Sequence, residues 1–178
     1  LVGVPLLAEY FMNKKIENLV VVSPDLGGVN RARQMADLLE APIAIIEKRR
    51  PMPGVAEVMN IIGSVEGKNV IIVDDIIDTA GSLTEGANAL KKFGAKDIYA
   101  ACTHPVFSDP AIQRIADSAL KEVVVSDSIP VPEEKMHEKI KVISLAPLFG
   151  ETILRISKNY SVSCLFDEKT IKQGKLWC

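Results

Sequence analysis

The stretch that decides the fold is VIIVDDIIDTAGSL, residues 70–83. It opens with an apolar, mostly β-branched run, and two aspartates follow at once with no polar residue in between. A continuous apolar run of this kind predicts a strand that is buried on both faces of a parallel sheet. Because open α/β sheets bind ligands at the carboxyl ends of their strands, Asp74 and Asp75 are predicted to lie at a binding edge.

A turn of small and hydroxylated residues follows the aspartate pair, and a helical pattern begins at Leu83. Backbone N–H groups and hydroxyls at a helix N-terminus suit a phosphate dianion. Asp74 and Asp75 cannot bind phosphate, but carboxylates accept hydrogen bonds from vicinal sugar hydroxyls or coordinate a hard metal ion. The stretch therefore predicts a phosphosugar site, and the alternative is a strand that ends in a solvated acidic turn. The residues of the turn are Asp78, Thr79, Ala80, Gly81 and Ser82.

The segment SPDLGGVNRAR, residues 23–33, repeats this order, with an acid, a glycine pair and a basic helix after an apolar strand. Gly27 and Gly28 would let the backbone approach a diphosphate closely and adopt positive φ angles. Asp25 is placed to coordinate a magnesium ion that bridges the diphosphate. An ordinary strand–helix turn is the alternative. The two arginines of the segment either face phosphate or lie on a solvated helix face, and the sequence does not decide between these.

The cationic cluster EKRRP, residues 47–51, stands where a strand becomes a loop rich in proline and glycine. Phosphoryl transfer is helped by cations that neutralise the charge developing on non-bridging oxygens. In an extended backbone Lys48 and Arg50 point to the same side and Arg49 to the other, because strand side chains alternate. Lys48 and Arg50 are therefore the predicted catalytic cations, and a solvated charged run is the alternative.

Strand and helix patterns alternate from end to end, which predicts one parallel α/β domain over residues 1–166, followed by a polar tail at 167–178. His104 follows a predicted strand and is expected to stabilise a turn, with a general base as the alternative. The strands are predicted at 19–23, 43–46, 58–62 (an edge strand), 70–74, 98–102, 122–125 and 141–145, and the helices at 5–13, 29–39, 83–93, 111–116 and 147–156.

The composition indicates a folded chain and does not indicate a nucleic-acid or membrane partner. A hydrophobic fraction of 48% is typical of a folded chain, and a net charge of −2 does not indicate a nucleic-acid or membrane surface. The apolar runs are shorter than the about 18–20 residues that span a bilayer. The three cysteines show no metal-binding spacing, Cys102 is predicted to be a buried structural thiol, and a reducing cytoplasm is expected. The chain opens in mid-pattern, and we therefore expect it to be a piece of a longer polypeptide.

Together and in this order, these motifs resemble the C-terminal half of the ribose-phosphate diphosphokinases. The resemblance spans residues 1–166 and includes APIAIIEKRRP, the DDIIDTAGS loop, THPVFS and the closing SVSCLF. Ordinary phosphoribosyltransferases share only the motif at 70–83. The resemblance implies a type I phosphoribosyltransferase-like α/β fold, with a mainly parallel sheet flanked by helices. It also implies pyrophosphoryl transfer from ATP to the anomeric hydroxyl of ribose 5-phosphate, giving phosphoribosyl pyrophosphate and AMP.

The resemblance also implies a cytoplasmic homo-oligomer, which is a hexamer in this family. It implies a separate N-terminal half that supplies the adenine contacts, so this chain alone is expected to be inactive. A base phosphoribosyltransferase and a non-catalytic, synthetase-associated regulatory subunit remain the alternatives. The implied roles are ribose 5-phosphate binding by residues 78–82, contact with the ribose hydroxyls by Asp74 and Asp75, catalysis by Lys48 and Arg50, magnesium binding by Asp25, and an allosteric site at Ser161 and Ser163.

Overall fold

The computed structural model describes residues 1–49 and 58–166, and within these ranges seven strands form one sheet in the order β3-β2-β1-β4-β5-β6-β7. Only the pairing of β2 with β3 is antiparallel. The strands are β1 (Leu19–Ser23), β2 (Ile43–Arg49), β3 (Val58–Ile62), β4 (Asn69–Ile77), β5 (Ile98–Pro105), β6 (Leu120–Ser126) and β7 (Ile140–Ile143). The helices are α1 (Val4–Lys14), α2 (Val29–Leu39), α3 (Gly81–Lys92), α4 (Ala111–Asp117) and α5 (Ala146–Ser157), with short 3-10 turns at Glu133–Lys135 and Ser163–Phe166.

The order of the strands creates a switch point between β1 and β4. From β1 the chain runs outward through β2 and β3, and it then returns to place β4 on the other side of β1. The two strands pair in parallel, with Val22 opposite Ile72. Their carboxyl ends therefore meet at one edge of the sheet, which is where open α/β sheets bind ligands.

Helices cover both faces of the sheet, and the alternation of side chains along β4 serves the two layers. Val70 and Ile72 pack on the side of α3 and α4, whereas Ile71 and Val73 pack on the side of α1 and α2. All four side chains are buried, because β4 is covered on both faces and paired on both edges. This confirms the fully buried parallel strand predicted from the apolar run.

Each predicted strand and helix is present, with ends that differ by three residues or fewer, and α2 has the predicted bounds. The prediction that the strand of the central motif ends at residue 74 was wrong, because β4 continues to Ile77. Its last residues pair with β5, where Ile76 lies opposite His104, and the carbonyl of Ile77 accepts a hydrogen bond from Phe107 N–H at 3.0 Å. Backbone pairing thus extends the strand beyond the point where its apolar pattern stops.

The helix α3 ends in a turn at Gly94. Gly94 has a φ of +86° and donates its N–H to the carbonyl of Lys91, while Ala95 donates to Leu90. These two bonds form a Schellman motif, which requires a left-handed residue at this position. None of the helices within the described ranges has the length and hydropathy that a crossing of a bilayer requires.

Candidate functional site

A cleft of about 660 Å³ lies at the switch point, where the segments after β1 and at the end of β4 meet the start of α3. All the residues of the turn 78–82 line it, and Asp25 and Asp74 line it as well. The structure therefore brings together the two motifs that the sequence places about fifty residues apart. The lining also includes Ile76, which is 49% exposed and gives the cleft an apolar patch.

Backbone N–H groups at the start of α3 form one wall of the cleft. The first helical hydrogen bond runs from Thr84 N–H to the carbonyl of Ala80 at 3.0 Å. The N–H groups of Gly81, Ser82 and Leu83 precede that bond and are the donors that a helix start leaves unpaired. These three residues line the cleft, so their donors stand at its wall together with the positive end of the helix dipole.

The left-handed residue of this turn is Ala80 and not its one glycine, Gly81. Ala80 is the N-cap of α3, with φ 57° and ψ 11°, and it is almost fully buried. A non-glycine residue in this conformation is strained by about 1 kcal/mol or more. Thr84 Oγ1 donates to the Ala80 carbonyl at 2.9 Å, which helps to hold the turn.

Asp25 and the glycine pair form a tight turn at the start of α2. Gly28 N–H donates to Asp25 Oδ1 at 2.8 Å, and Ser23 Oγ donates to the carbonyl of Asp25 at 2.7 Å. The predicted positive φ angles were wrong, because Gly28 has a φ of −81° and Gly27 is also outside the left-handed region. Gly28 is required instead because there is no room for a side chain, since a Cβ at this position would lie 2.9 Å from Ser23 Oγ. The lining of the cleft includes Asp25 but neither glycine.

Arg31 holds the two aspartates of β4. Its Nη1 lies 3.1 Å from Asp74 Oδ1, and its Nη2 lies 2.6 Å from Asp75 Oδ2. The sequence left Arg31 either facing phosphate or solvated, and the structure gives a third arrangement in which it is the counter-ion of the acid pair. Arg33, two residues further along the same helix, is exposed.

The two neighbouring carboxylates have different acidities. Burial, reinforced by the adjacent Asp75 carboxylate, raises the pKa of Asp74 to about 6. Burial also acts to raise the pKa of Asp75, but the hydrogen bond with Asp74, the Arg31 charge and backbone donors outweigh it and lower that pKa. Both groups are mainly ionised above about pH 6, and an ionised carboxylate accepts hydrogen bonds from hydroxyl groups.

Among the predicted site residues that the structure describes, Asp75, Ser161 and Ser163 do not line this cleft. Lys48 lies in β2 opposite Met59, and Arg50 lies outside the described residues, so their catalytic role and the alternation of their side chains stay predictions. Ser161 and Ser163 lie together after α5, with their hydroxyl oxygens 2.7 Å apart. Their allosteric role also stays a prediction.

Sequence reasoning missed one residue that contacts the turn 78–82. Arg114 of α4 donates from Nη1 to the carbonyl of Thr79 at 3.0 Å. Its distance of 35 residues along the chain and its place in an ordinary amphipathic helix left no pattern that links it to the turn.

The contacts of His104 and Cys102, which the sequence singled out, indicate structural rather than catalytic roles. His104 lies within β5 and not after it, and its Nδ1 is 2.9 Å from Ser128 Oγ, which supports the structural interpretation over the general base. Cys102 is fully buried, as predicted, and burial raises the pKa of its thiol to about 12. A thiol in this state is not a nucleophile near neutral pH.

The fold and the cleft together define a type I phosphoribosyltransferase-like domain. Among solved structures, the chain is similar to a purine phosphoribosyltransferase from Pyrococcus horikoshii, with 28% identity and a TM-score of 0.50 over 60% of this chain and 73% of that one. The similarity to phosphoribosylpyrophosphate synthetase from Mycobacterium smegmatis is greater, with 40% identity and a TM-score of 0.82 over 88% of this chain and 51% of that one.

Comparison with protein families and curated relatives makes the assignment specific. Residues 47–167 match the family model described as the phosphoribosyl synthetase-associated domain, and the chain belongs to this family. It is 61% identical over 165 residues to the ribose-phosphate pyrophosphokinase of Oceanobacillus iheyensis and 60% identical over 166 residues to that of Bacillus subtilis. Each alignment covers 93% of this chain and 52% of the relative, so the chain spans about half the length of these relatives. The resemblance stated from the motifs is confirmed.

Proposed function

We propose that this chain is the sugar-phosphate-binding half of a ribose-phosphate pyrophosphokinase, and that residues 1–166 are one of its two phosphoribosyltransferase-like domains. The complete enzyme transfers a pyrophosphoryl group from ATP to the anomeric hydroxyl of ribose 5-phosphate, and phosphoribosyl pyrophosphate and AMP are formed. The observation that carries the proposal is the cleft at the β1–β4 switch point, where the start of α3 lies beside the carboxylates of Asp25 and Asp74.

The two parts of ribose 5-phosphate match the two parts of the cleft. The phosphate dianion binds at the N–H groups of Gly81, Ser82 and Leu83, where the helix dipole favours negative charge. The ribose hydroxyls donate hydrogen bonds to Asp74 and Asp75. Since Arg31 pairs with both carboxylates, it fixes their orientation and favours the ionised form that accepts these bonds.

Magnesium suits the acidic groups of the cleft. Mg²⁺ is commonly held by one or two carboxylates together with substrate phosphates and water, rather than by a complete protein cage. Asp25 and Asp74 line the same cleft, and the described residues contain no cluster of three or more ligand side chains that would form such a cage. We propose Asp25 as the metal-binding residue, and the ion would neutralise charge on the diphosphate.

Lys48 and Arg50 are proposed to act on the charge that develops during transfer. β2 lies beside β1, so the end of β2 is next to the strand that positions Asp25. Gly27 and Gly28 are proposed to admit the diphosphate beside Asp25. The anomeric oxygen attacks the β-phosphorus of ATP, the bond from this phosphorus to the α-phosphate oxygen breaks, and AMP leaves. No covalent enzyme intermediate is needed.

We also propose that the protein is a cytoplasmic homo-oligomer, and α5 supports the oligomer. Phe149, Ile153 and Ile156 follow the spacing of one face of α5, and each is more than half exposed. An apolar face of this kind is typical of a subunit interface. Sedimentation of the chain with Phe149→Ser and Ile153→Ser should show a smaller species than the unmodified chain, and an unchanged mass would contradict the interface.

The activity can be tested in a full-length chimera in which this chain replaces the matching half of the Bacillus subtilis relative. We expect AMP release that requires ribose 5-phosphate and magnesium, and the 178-residue chain alone should release none, because we propose that the other half supplies the adenine site. Nucleotide formation from phosphoribosyl pyrophosphate and a base would instead identify a phosphoribosyltransferase. A folded chimera with neither activity would identify a regulatory subunit.

A further inference from the structure

The turn 78–82, which we call the phosphate turn after its proposed ligand, needs an anchor that its own sequence does not supply. Ala80 is held in the left-handed region, and no described side chain caps the N-terminus of α3. The hydroxyl of Thr84 bonds to the Ala80 carbonyl, on the helical side of the turn. The peptide between Thr79 and Ala80, on the strand side, sets the direction of the N–H groups that follow.

Arg114 binds that peptide from behind. Its Nη1 donates to the Thr79 carbonyl at 3.0 Å and lies 3.3 Å from the position of a Cβ on Gly81. Arg114 does not line the cleft, so it would reach a bound phosphate only through the turn. The bond engages the Thr79 carbonyl, and a charge-assisted hydrogen bond of this kind is among the stronger ones.

The charge of Arg114 also differs from that of Arg31. Arg31 is neutralised by two aspartates, whereas Arg114 takes part in no ion pair among the described residues. Its guanidinium has five N–H donors, and the recorded bond uses one of them. A positive charge that is exposed to solvent and has no ion-pair partner among the described residues therefore lies beside the start of α3, and it adds to the attraction of the helix N-terminus for an anion.

We propose that Arg114 is a positioning residue of the phosphate turn. It fixes the Thr79–Ala80 peptide so that the N–H groups of Gly81, Ser82 and Leu83 face the cleft, and it raises the affinity for the sugar phosphate by its charge. The second part of this inference rests on the proposed function, because it takes the phosphate of ribose 5-phosphate as the ligand.

The test compares Arg114→Gln, Arg114→Lys and a matched control in the 178-residue chain. Arg33→Gln is the control, because it removes the same charge from an exposed position on α2. Amide hydrogen exchange of residues 80–83 is measured without ligand, and the affinities for ribose 5-phosphate and inorganic phosphate are measured by calorimetry. Arg114→Lys keeps the charge and loses the planar fork, so it separates the two contributions and supplies a second variant if Arg114→Gln does not fold.

We expect Arg114→Gln to speed exchange at residues 80–83 and to weaken binding of both ligands about tenfold, the size expected for one charge-assisted hydrogen bond. Arg114→Lys should exchange as fast but lose less affinity, and Arg33→Gln should match the unmodified chain. Unchanged exchange and affinity in Arg114→Gln, or equal losses in Arg33→Gln, would overturn the proposal. If the unmodified chain binds neither ligand, the proposed function fails, while the exchange rates still decide whether Arg114 positions the turn.

Discussion

Replacing Asp74 with asparagine should make the protein more stable near neutral pH while weakening the proposed sugar site. Asp74 is half-buried beside a second carboxylate, and its pKa is raised from 3.8 to about 6. Asparagine keeps the Oδ1 acceptor, which now binds Asp75 N–H at 2.9 Å and Arg31 at 3.1 Å. The substitution therefore removes a buried charge without removing these hydrogen bonds.

The magnitude follows from the two pKa values. Between pH 3.8 and about 6 the folded state binds more protons at Asp74 than the unfolded state does, so the free energy of unfolding falls as the pH rises through this window. A difference of about two pH units at about 1.4 kcal/mol each sets an upper limit of about 3 kcal/mol. Because 31% of the side chain is exposed, solvent screening reduces the expected gain to about 1–2 kcal/mol at pH 7.5.

Urea unfolding at pH 7.5 and pH 4 measures this gain. Asp74→Asn should raise the free energy of unfolding at pH 7.5 and leave it nearly unchanged at pH 4, while the affinity for ribose 5-phosphate falls. Asp37→Asn is the control, because Asp37 is an exposed carboxylate on α2. A loss of stability at pH 7.5, or an equal gain at both pH values, would refute the reasoning. Stability that is given up at a site for function is a common pattern in proteins.

Two other substitutions test the phosphate turn and the cationic loop. Gly81→Val should weaken calorimetric binding of ribose 5-phosphate, because its Cβ would lie 3.3 Å from Arg114 Nη1 and would displace the guanidinium that holds the Thr79 carbonyl. Gly150→Ala, whose Cβ would have nothing within 4 Å, should bind normally. Equal affinity in the two variants would contradict the site. In the full-length chimera, Lys48→Ala and Arg50→Ala should each lower kcat about 10²–10³-fold with a smaller change in KM, because these cations act mainly on charge in the transition state. Arg49→Ala should be milder, and a larger loss there would refute the alternation of side chains.

The central strand and its neighbours could be predicted because their signals are local. An apolar run such as Val70–Val73 must be buried on both faces, and the alternation of strands and helices then allows few topologies. The turn 78–82 was also predictable, since small residues at a helix start are one of the few sequence patterns with a direct chemical meaning. These local signals placed Asp25 and Asp74 at the same edge before the strand order was known.

The details that sequence could not supply depend on contacts between distant segments. The extension of β4 to Ile77 comes from its ladder with β5 and continues through Asp74 and Asp75, which interrupt the apolar run. Position 28 is occupied by glycine because a Cβ there would lie too close to the hydroxyl of Ser23, and the φ angle of Gly28 is one that any residue can adopt. The roles of Arg31 and Arg114 follow from hydrogen bonds that each makes with a residue at least 35 positions away in the chain. A pattern within a short window cannot contain such information.

The position of the phosphate tests the central claim most directly. In a titration of the isotopically labelled 178-residue chain with ribose 5-phosphate, the amide resonances of Gly81, Ser82 and Leu83 should shift and saturate. Ribose without phosphate should leave them in place, because these donors bind the phosphate alone. Saturable shifts confined to another part of the chain, or no saturable shift at these three amides, would contradict the assignment of the cleft as a ribose 5-phosphate site.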